Sequence, residues 1–202
     1  MATLTVFTPL YNRINTLKRT YESLKRQTSK DFVWLIIDDG STDNPYEIIK
    51  EWIKINNGFE IKYVYKENGG MHTAHNTAYE NIDTELNVCV DSDDYMPDNA
   101  VQLIIDCWNK NKNKGYAGII ALDFADSTKK VIGKELPTDK ESTTLMGYYN
   151  NGGFGDKKLI YRTDIIKQTP PYPVFDNEKY VALAYKSVSY THLRAHETTL
   201  HL

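Results

Sequence analysis

The strongest constraint on the fold is the run FVWLII at residues 32–37, in which every side chain is apolar. A strand with one wet face would alternate, so an unbroken apolar run indicates a strand buried on both faces. Similar short runs occur at 4–8, 61–65, 86–90 and 117–122, and stretches with helical apolar spacing separate them. One strand per about 25–30 residues is the spacing of βαβ crossovers. The pattern predicts an α/β fold: a mostly parallel, Rossmann-like sheet with helices on both faces.

Local signals place the ends of several elements. Pro9 is expected to stop the first strand, and Asn15 or Thr16 to cap the first helix. A later strand is predicted over Leu159–Tyr161, followed by a short helix over Thr163–Lys167. Polar residues follow the first four strands at 8–13, 38–43, 68–70 and 91–94. Because ligands of open parallel sheets bind beyond the carboxyl ends of the strands, these segments are the candidate site.

Composition narrows the class of partner. The 202 residues carry a net charge of −3, which gives no positive field for nucleic acid or anionic lipid. No apolar run approaches the ~20 residues of a membrane span, and the first residues lack the basic start of a signal peptide. Cys89 and Cys107 fit small buried hydrophobes of a reducing compartment. A cytoplasmic chain is expected, with peripheral contact at the inner face of the membrane left open and no oligomeric state implied.

DSDDYMPD, residues 91–98, holds four aspartates, and no Lys, Arg or His lies between Asn76 and Asn109. One interpretation is a solvated turn in which Asp98, beside Pro97, caps the next helix. The other is a divalent cation site, because carboxylate oxygens suit Mg²⁺ or Mn²⁺, which bind a substrate's phosphates. Glycine-rich phosphate loops are absent, which favours phosphate held through a cation.

Two further motifs each have a structural and a functional interpretation. IIDDGSTD, residues 36–43, fits a tight turn with Gly40 at positive φ and Ser41 or Thr42 capping a helix. It also fits a carboxylate that binds a base or ribose beyond a strand. NGGMHTAHN, residues 68–76, fits a glycine turn before a helix, and its histidines form no complete metal set with a nearby cysteine.

In this order, TPLYNR, IIDDGSTD, NGG…HN and DSDD resemble the motifs of family 2 glycosyltransferases of the GT-A fold, over residues 3–186. The resemblance implies an inverting hexosyltransferase-like enzyme that uses a nucleotide-diphosphate sugar, most often UDP-linked. The acceptor would be a hydroxyl of a glycan or lipid-linked glycan, and the cofactor Mn²⁺ or Mg²⁺. The implied role is synthesis of a bacterial cell-surface polysaccharide or glycoconjugate.

The resemblance also assigns nucleotide-binding residues by position. In this assignment Asp38 meets the uracil and Asp39 supports the uracil or the ribose. Many family members have Arg where His75 stands. The full set expected to bind the nucleotide is Thr8, Pro9, Tyr11, Arg13, Asp38, Asp39, Asn68, Gly69, His75 and Asp91.

The metal and the general base are assigned in the same way. Asp91 and Asp93 would form the DxD pair, at the ribose and at the metal-bound diphosphate. The acceptor-side acid follows a GED- or GEK-like turn in one branch of the family, and Glu178 or Asp176 is the nearest match. The competing functions are a non-catalytic nucleotide-sugar-binding module and a nucleotidyltransferase, which also uses paired acids and Mg²⁺.

The sequence divides into a nucleotide-binding part at 1–122 and an acceptor-side part at 123–186. The tail 187–202 changes composition abruptly and is expected to be non-native, so that the domain is cut short. His192, His196 and His201 in this tail lack the HExxH order of a zinc protease, and no zinc site is predicted there.

Overall fold

A computed structural model describes residues 2–125, 127–128, 130–134 and 142–186, and the backbone of 187–189 and 195–201. The strands are β1 (Leu4–Leu10), β2 (Phe32–Asp39), β3 (Glu60–Lys66), β4 (Leu86–Cys89), β5 (Gly118–Leu122), β6 (Phe124–Ala125), β7 (Lys130–Val131), β8 (Ser142–Thr143), β9 (Lys157–Arg162) and β10 (Ala195–His201). The helices are α1 (Ile14–Lys25), α2 (Tyr46–Lys54), α3 (Met71–Asn81), α4 (Ala100–Asn111), α5 (Leu145–Asn150), α6 (Thr163–Gln168) and α7 (Ala184–Ser189).

The main sheet has the strand order β3-β2-β1-β4-β9-β5-β10-β8. The first four strands are parallel to one another, β9 runs antiparallel between β4 and β5, and β8 is antiparallel to β10. The strand order reverses at β1. The chain passes through α1 and α2 to place β2 and β3 on one side of β1, and then through α3 to place β4 on the other side. The predicted α/β class with a mostly parallel sheet is confirmed.

Helices cover both faces of this sheet, and the alternation of side chains along β2 shows how. Trp34 and Ile36 pack in a core with α1, α2 and α4, whereas Leu35 and Ile37 pack in a second core with α3 and α6. Tyr21 of α1 stacks on Trp52 of α2 at 4.1 Å between ring centroids. An apolar run in β2 is therefore required by packing on both sides.

Pro9 does not stop β1, contrary to the sequence-based expectation. Pro9 pairs in register with Ile37, and the strand continues to Leu10. On its other side, β1 has no partner strand beside Pro9, because β4 ends at Cys89. The last hydrogen bond between the two segments runs from the Val90 N–H to the carbonyl of Phe7. The backbone nitrogen of Pro9 points toward β4, as the carbonyl of Phe7 does. Since β4 offers no acceptor at this height, the missing N–H costs the sheet no hydrogen bond.

The predicted strand and short helix near residue 160 are confirmed as β9 and α6, but the position of β9 was not predicted. β9 inserts between β4 and β5, pairing Ile160 with Val88 and with Ile119. The pairing is close at Gly118, where an added Cβ would lie 2.0 Å from the carbonyl oxygen of Ile160. Gly118 therefore permits the approach of β9.

The chain beyond Lys186, which the composition predicts to be a non-native tail, includes regular backbone structure. α7 continues to Ser189, and the backbone of β10 pairs parallel with β5 and antiparallel with β8. Main-chain pairing needs no apolar period, so the composition of 187–202 could not reveal it. The non-native origin of this segment stays a prediction, and His192 lies outside the described residues.

We expect Gly118→Ala to lower the free energy of unfolding by about 3 kcal/mol, because the methyl group overlaps a main-chain carbonyl of β9. Urea unfolding followed by circular dichroism measures this loss. The matched control is Gly115→Ala, in which the added Cβ meets no atom within 4 Å. This variant should lose only the free energy of holding an alanine at φ +74°, about 1 kcal/mol. Equal losses in the two variants would contradict the close β5–β9 pairing.

Candidate active site

The candidate site lies where the strand order reverses, at the carboxyl ends of β1 and β4. The helix that follows β1 packs on one face of the sheet and the helix that follows β3 packs on the other face, so the loops that precede them flank this edge from both sides. The predicted motif residues after β1, β2, β3 and β4 all reach this edge, as parallel strands require. Four polar loops thus border this edge of the sheet.

The loops after β1 and β2 are locked together by hydrogen bonds that the sequence did not reveal. The Asn12 side-chain oxygen accepts from the Thr42 N–H at 2.8 Å, and the Asn12 N–H donates to the Ser41 hydroxyl at 3.0 Å. The first N–H of α1, at Ile14, donates to Asp43 at 3.0 Å. Neither Asn15 nor Thr16 caps α1 as predicted, since the cap comes from the neighbouring loop.

The predicted nucleotide residues of the first loop divide into two groups. Thr8 and Pro9 are buried, and the Thr8 hydroxyl accepts a hydrogen bond from the indole N–H of Trp34 at 3.0 Å. Tyr11 and Arg13 are exposed. Of these four residues, Tyr11 and Arg13 have exposed side chains, and a nucleotide-binding role for all four stays a prediction.

Asp38 and Asp39 are buried within β2, whereas the sequence pattern placed them beyond the strand. The strand is longer because Asp38 pairs with Leu10 and Tyr65, and Asp39 with Lys66. Successive side chains point to opposite faces, so the two acids serve different loops. Asp38 accepts from the Ser41 N–H at 2.8 Å and from the Tyr63 hydroxyl at 2.5 Å. Burial, and then this bond, raise the pKa of Tyr63.

Asp39 organises the loop between β3 and α3. Its two carboxylate oxygens accept from the Lys66 ammonium at 2.5 Å, the Asn68 amide at 3.0 Å, and the N–H groups of Gly69 and Gly70 at 3.0 and 2.8 Å. Four donors saturate a carboxylate. Asp39 therefore fixes the position of predicted site residues Asn68 and Gly69.

Asn68 bridges two parts of the chain. Its amide nitrogen donates to Asp39, and its amide oxygen accepts from the Lys179 ammonium at 2.7 Å. Lys179 follows Glu178, one of the two candidate bases. Glu178 and Asp176 are both exposed, and Glu178 accepts from the Tyr180 N–H at 2.8 Å.

His75 lies in α3, beside β1 and β4. Its ring is 5% exposed, packs edge-on against Phe7 at 5.0 Å, and approaches the Cys89 thiol at 3.7 Å. Burial, with smaller contributions from Lys186 and His72, lowers the pKa of His75 to about 4. The ring is therefore neutral at pH 7, unlike the Arg that many family members carry there.

A lysine from a distant part of the chain partly compensates the acidic motif after β4. The ammonium of Lys158, in β9, lies 3.8 Å from Asp94 and 3.7 Å from Asp123. Burial alone would lower the pKa of Lys158, but Asp123, with Asp91 and Asp94, raises it overall. Burial likewise raises the pKa of Asp91, although Lys158 opposes that effect. No sequence signal gave the register of β9, so Lys158 and Asp123 were missed.

Asp98 does not cap α4 as the structural interpretation of this motif predicted. The N-cap residue is Asn99, and Asp98 pairs with Arg26 of the α1 terminus at 3.0 Å between side-chain atoms. Asp93 is exposed and makes no hydrogen bond or ion pair among the described residues. Asp93 is thus the member of the motif that the fold itself does not use.

A cleft of about 700 Å³ opens beside this motif. Among the predicted site residues, Asp91 and His75 line it, whereas Asp176 and Glu178 do not. Its wall from the second half of the chain includes Asp123, Tyr149, Asp156 and Lys158. Within the part of the chain that the structure describes, no three His, Cys, Asp or Glu side chains already form a metal-binding group, and no helix is long and apolar enough to cross a membrane.

The chain belongs to glycosyl transferase family 2, whose model matches residues 5–169. It is 30% identical to an uncharacterized glycosyltransferase of Rickettsia conorii over 148 residues, 71% of this chain and 24% of that protein. The chain thus spans about a quarter of that relative's length.

Solved structures share the fold. Residues 1–349 of Staphylococcus aureus TarS, in complex with UDP-GlcNAc, superpose with a TM-score of 0.71 at 22% identity, covering 99% of this chain and 56% of that one. The mannosyltransferase PcManGT of Pyrobaculum calidifontis, in complex with GDP-Man and Mn²⁺, gives 0.65 at 15% identity, covering 98% and 55%. At such identities the likeness establishes the GT-A-like fold.

We expect Lys158→Met to lower the free energy of unfolding by about 1–2 kcal/mol at pH 8. A fully buried pair costs more to break, about 3–5 kcal/mol, but Asp94 is half exposed. The loss should be smaller at low pH, because burial raises the pKa of Asp91 and Asp123 and these carboxylates become neutral there. Urea titrations at pH 8 and pH 4 measure it. Lys157→Met is the control, since the Lys157 ammonium binds main-chain carbonyls instead; an equal pH dependence there would contradict the assignment.

We expect His75→Gln to remove part of the acid sensitivity of the fold. His75 has a pKa of about 4 when folded and about 6.5 when unfolded, so the unfolded state binds the extra proton. Stability from the neutral ring is complete above pH 6.5 and is lost as the pH falls toward 4, by about 3 kcal/mol. Unfolding free energies of both proteins at pH 7 and pH 4.5 test this. Identical pH dependence in the variant would show that His75 titrates normally.

Proposed function

We propose that this chain is the donor-binding and catalytic part of an inverting glycosyltransferase. It would move a sugar from a nucleotide-diphosphate sugar, UDP-linked, to a hydroxyl of a glycan or lipid-linked glycan. The observation that carries the proposal is the acidic end of β4 in a member of family 2: Asp93 has no partner among the described residues, and Asp91 lines a cleft of about 700 Å³.

The nucleotide would lie across the edge formed by the four loops. Tyr11 and Arg13 are the exposed side chains of the first loop, and a nucleotide there gains an aromatic face and a positive charge. Asp38 and Asp39 would act mainly by holding the loops. The Asp38 oxygens already accept two hydrogen bonds, and the Asp39 oxygens already accept four. The base would then meet the main chain of the loops they fix. The UDP preference is supported by the UDP-GlcNAc complex of TarS.

The residues fit a divalent cation by their donor chemistry. Asp91 and Asp93 offer hard oxygens two residues apart, and Mg²⁺ and Mn²⁺ are commonly held by one or two carboxylates together with substrate phosphates. A preformed three-residue set is therefore not required. PcManGT, solved with Mn²⁺ and GDP-Man, supports the same cofactor class here.

The chemistry follows from the charges. A bound Mn²⁺ or Mg²⁺ would stabilise the negative charge that grows on the leaving diphosphate. Lys158 would hold Asp94 and Asp123 and balance their charge, leaving Asp91 and Asp93 for the donor. Glu178, or Asp176, would take the proton of the attacking hydroxyl, which approaches opposite the leaving group and so inverts the anomeric carbon.

The activity itself is tested by incubating the chain with UDP-GlcNAc, UDP-glucose and other UDP-sugars, Mn²⁺ and simple glycan acceptors. Product analysis should detect a glycosylated acceptor and UDP. A nucleotidyltransferase would instead leave these mixtures unchanged and release pyrophosphate when it is given UTP and a sugar 1-phosphate. Donor binding without turnover would favour the non-catalytic nucleotide-sugar-binding module, provided that replacing Glu178 and Asp176 leaves this binding unchanged. The role in polysaccharide or glycoconjugate synthesis, at the cytoplasmic side of the membrane, is part of the same proposal.

We expect Asp93→Asn to remove most of the metal-dependent affinity for UDP, at least tenfold, because one oxygen ligand loses its charge. Isothermal titration calorimetry with UDP, in Mn²⁺ and in EDTA, measures the difference. Asp98→Asn is the matched control: it changes the same group in the same segment, but the Asp98 carboxylate pairs with Arg26 at the surface. If Asp93→Asn binds UDP and Mn²⁺ like the parent, the metal assignment is wrong.

A further inference from the structure

The segment 174–180 carries both candidate bases and is held by few contacts of its own. Phe175 and Glu178 form an antiparallel bridge around Asn177, whose φ is +61°. The side chains of Val174, Phe175 and Tyr180 are exposed, so no apolar packing fixes the segment. A hairpin of this size is marginal in water without additional contacts.

Both flanks of the segment are anchored in the fold. Tyr172 is buried, and its N–H and carbonyl both bond to the Asn76 side chain of α3, at 2.8 and 2.9 Å. On the other flank the buried Lys186 donates to the Thr169 hydroxyl at 2.9 Å. The hairpin is therefore a short bridge between two fixed points.

Lys179 provides the contacts between this hairpin and the rest of the described chain. Its ammonium donates to the Asn68 amide oxygen at 2.7 Å. Its main-chain carbonyl approaches Gly70 so closely that a Cβ there would lie 2.0 Å from the oxygen. Two independent features, a side-chain bond and a glycine contact, thus dock the hairpin on the loop between β3 and α3.

That loop is itself ordered by Asp39, which binds Asn68, Gly69 and Gly70. A connected path therefore runs from the buried Asp39 through Asn68 to Lys179, the residue next to Glu178. We propose that Lys179 is a positioning residue: it couples a nucleotide bound at the loop 67–70 to the placement of the hairpin that carries Glu178. This inference rests on the proposed function, since it assumes a nucleotide at this loop.

The coupling has a simple physical basis. A single exposed hydrogen bond contributes little net stability, so the undocked hairpin is readily populated. A ligand that binds the loop 67–70 more tightly when Lys179 is docked on Asn68 shifts the hairpin toward its docked state. Donor binding would then place the base before the acceptor arrives.

Hydrogen–deuterium exchange of the whole chain, with and without UDP and Mn²⁺, tests this. In the parent, UDP should slow exchange at least threefold both in 66–71 and in 174–181. Lys179→Met should keep the protection of 66–71 and lose that of 174–181, while Lys179→Arg, which can still donate to Asn68, should restore it. Lys167→Met removes an exposed lysine of α6 that does not touch the loop, and should behave like the parent.

The outcomes separate the two proposals. No binding of UDP by the parent, in calorimetry or exchange, overturns the proposed function and this inference with it. UDP that protects 66–71 but leaves 174–181 unchanged in the parent overturns the inference alone. Equal protection of 174–181 in Lys179→Met and the parent also overturns it, because the hairpin would then follow the nucleotide by another route.

Discussion

The candidate site depends on the burial of two adjacent carboxylates at the end of β2. A carboxylate removed from water without partners costs several kcal/mol, so Asp38 and Asp39 must gather donors from whatever surrounds them. Because they point to opposite faces, Asp38 holds the turn that follows β2, and Asp39 holds the loop before α3. The shape of the ligand edge is thus a consequence of satisfying buried charge.

The same logic explains the charge balance around β4. Asp91, Asp94 and Asp123 converge on one side of the cleft, and the ammonium of Lys158 lies among them. One ammonium among three carboxylates leaves this cluster negative, which suits a divalent cation, while Arg19, Lys157 and Lys186 also line the cleft and suit the diphosphate that would arrive with it. Asp93, exposed and unbonded among the described residues, is the ligand least committed to the fold.

Much of the fold follows from local sequence pattern. The apolar run of β2 and the repeated strand–helix order predicted the parallel sheet, because hydrophobic burial on two faces leaves a direct trace in the sequence. The convergence of the four motifs followed from strand direction alone. The antiparallel insertion of β9 left no such trace, since its register depends on contacts across the chain such as Gly118 against Ile160. Lys158, carried by β9, was hidden for the same reason.

Errors at single residues have related causes. The pattern placed Asp38 beyond its strand because an aspartate disfavours strands, yet pairing on both sides with β1 and β3 extends β2 through it. Asp98 was predicted to cap α4 from its type and position, but an ion pair with Arg26, far along the chain, takes its carboxylate instead. Propensity describes what a residue can do locally, and long-range partners decide which option is used.

His75 and Lys158 together set the charge around Asp91. Family resemblance places an arginine here in many members, yet burial against Phe7 and Cys89 keeps the His75 ring neutral. The positive charge beside Asp91 comes instead from Lys158 on β9. Because the His75 ring is neutral, α3 gives Asp91 no charged partner, and the Asp91 carboxylate stays available to a cation in the cleft. The acidic motif that appeared unpaired in sequence is therefore only partly compensated in the fold, which is the condition that cation binding requires.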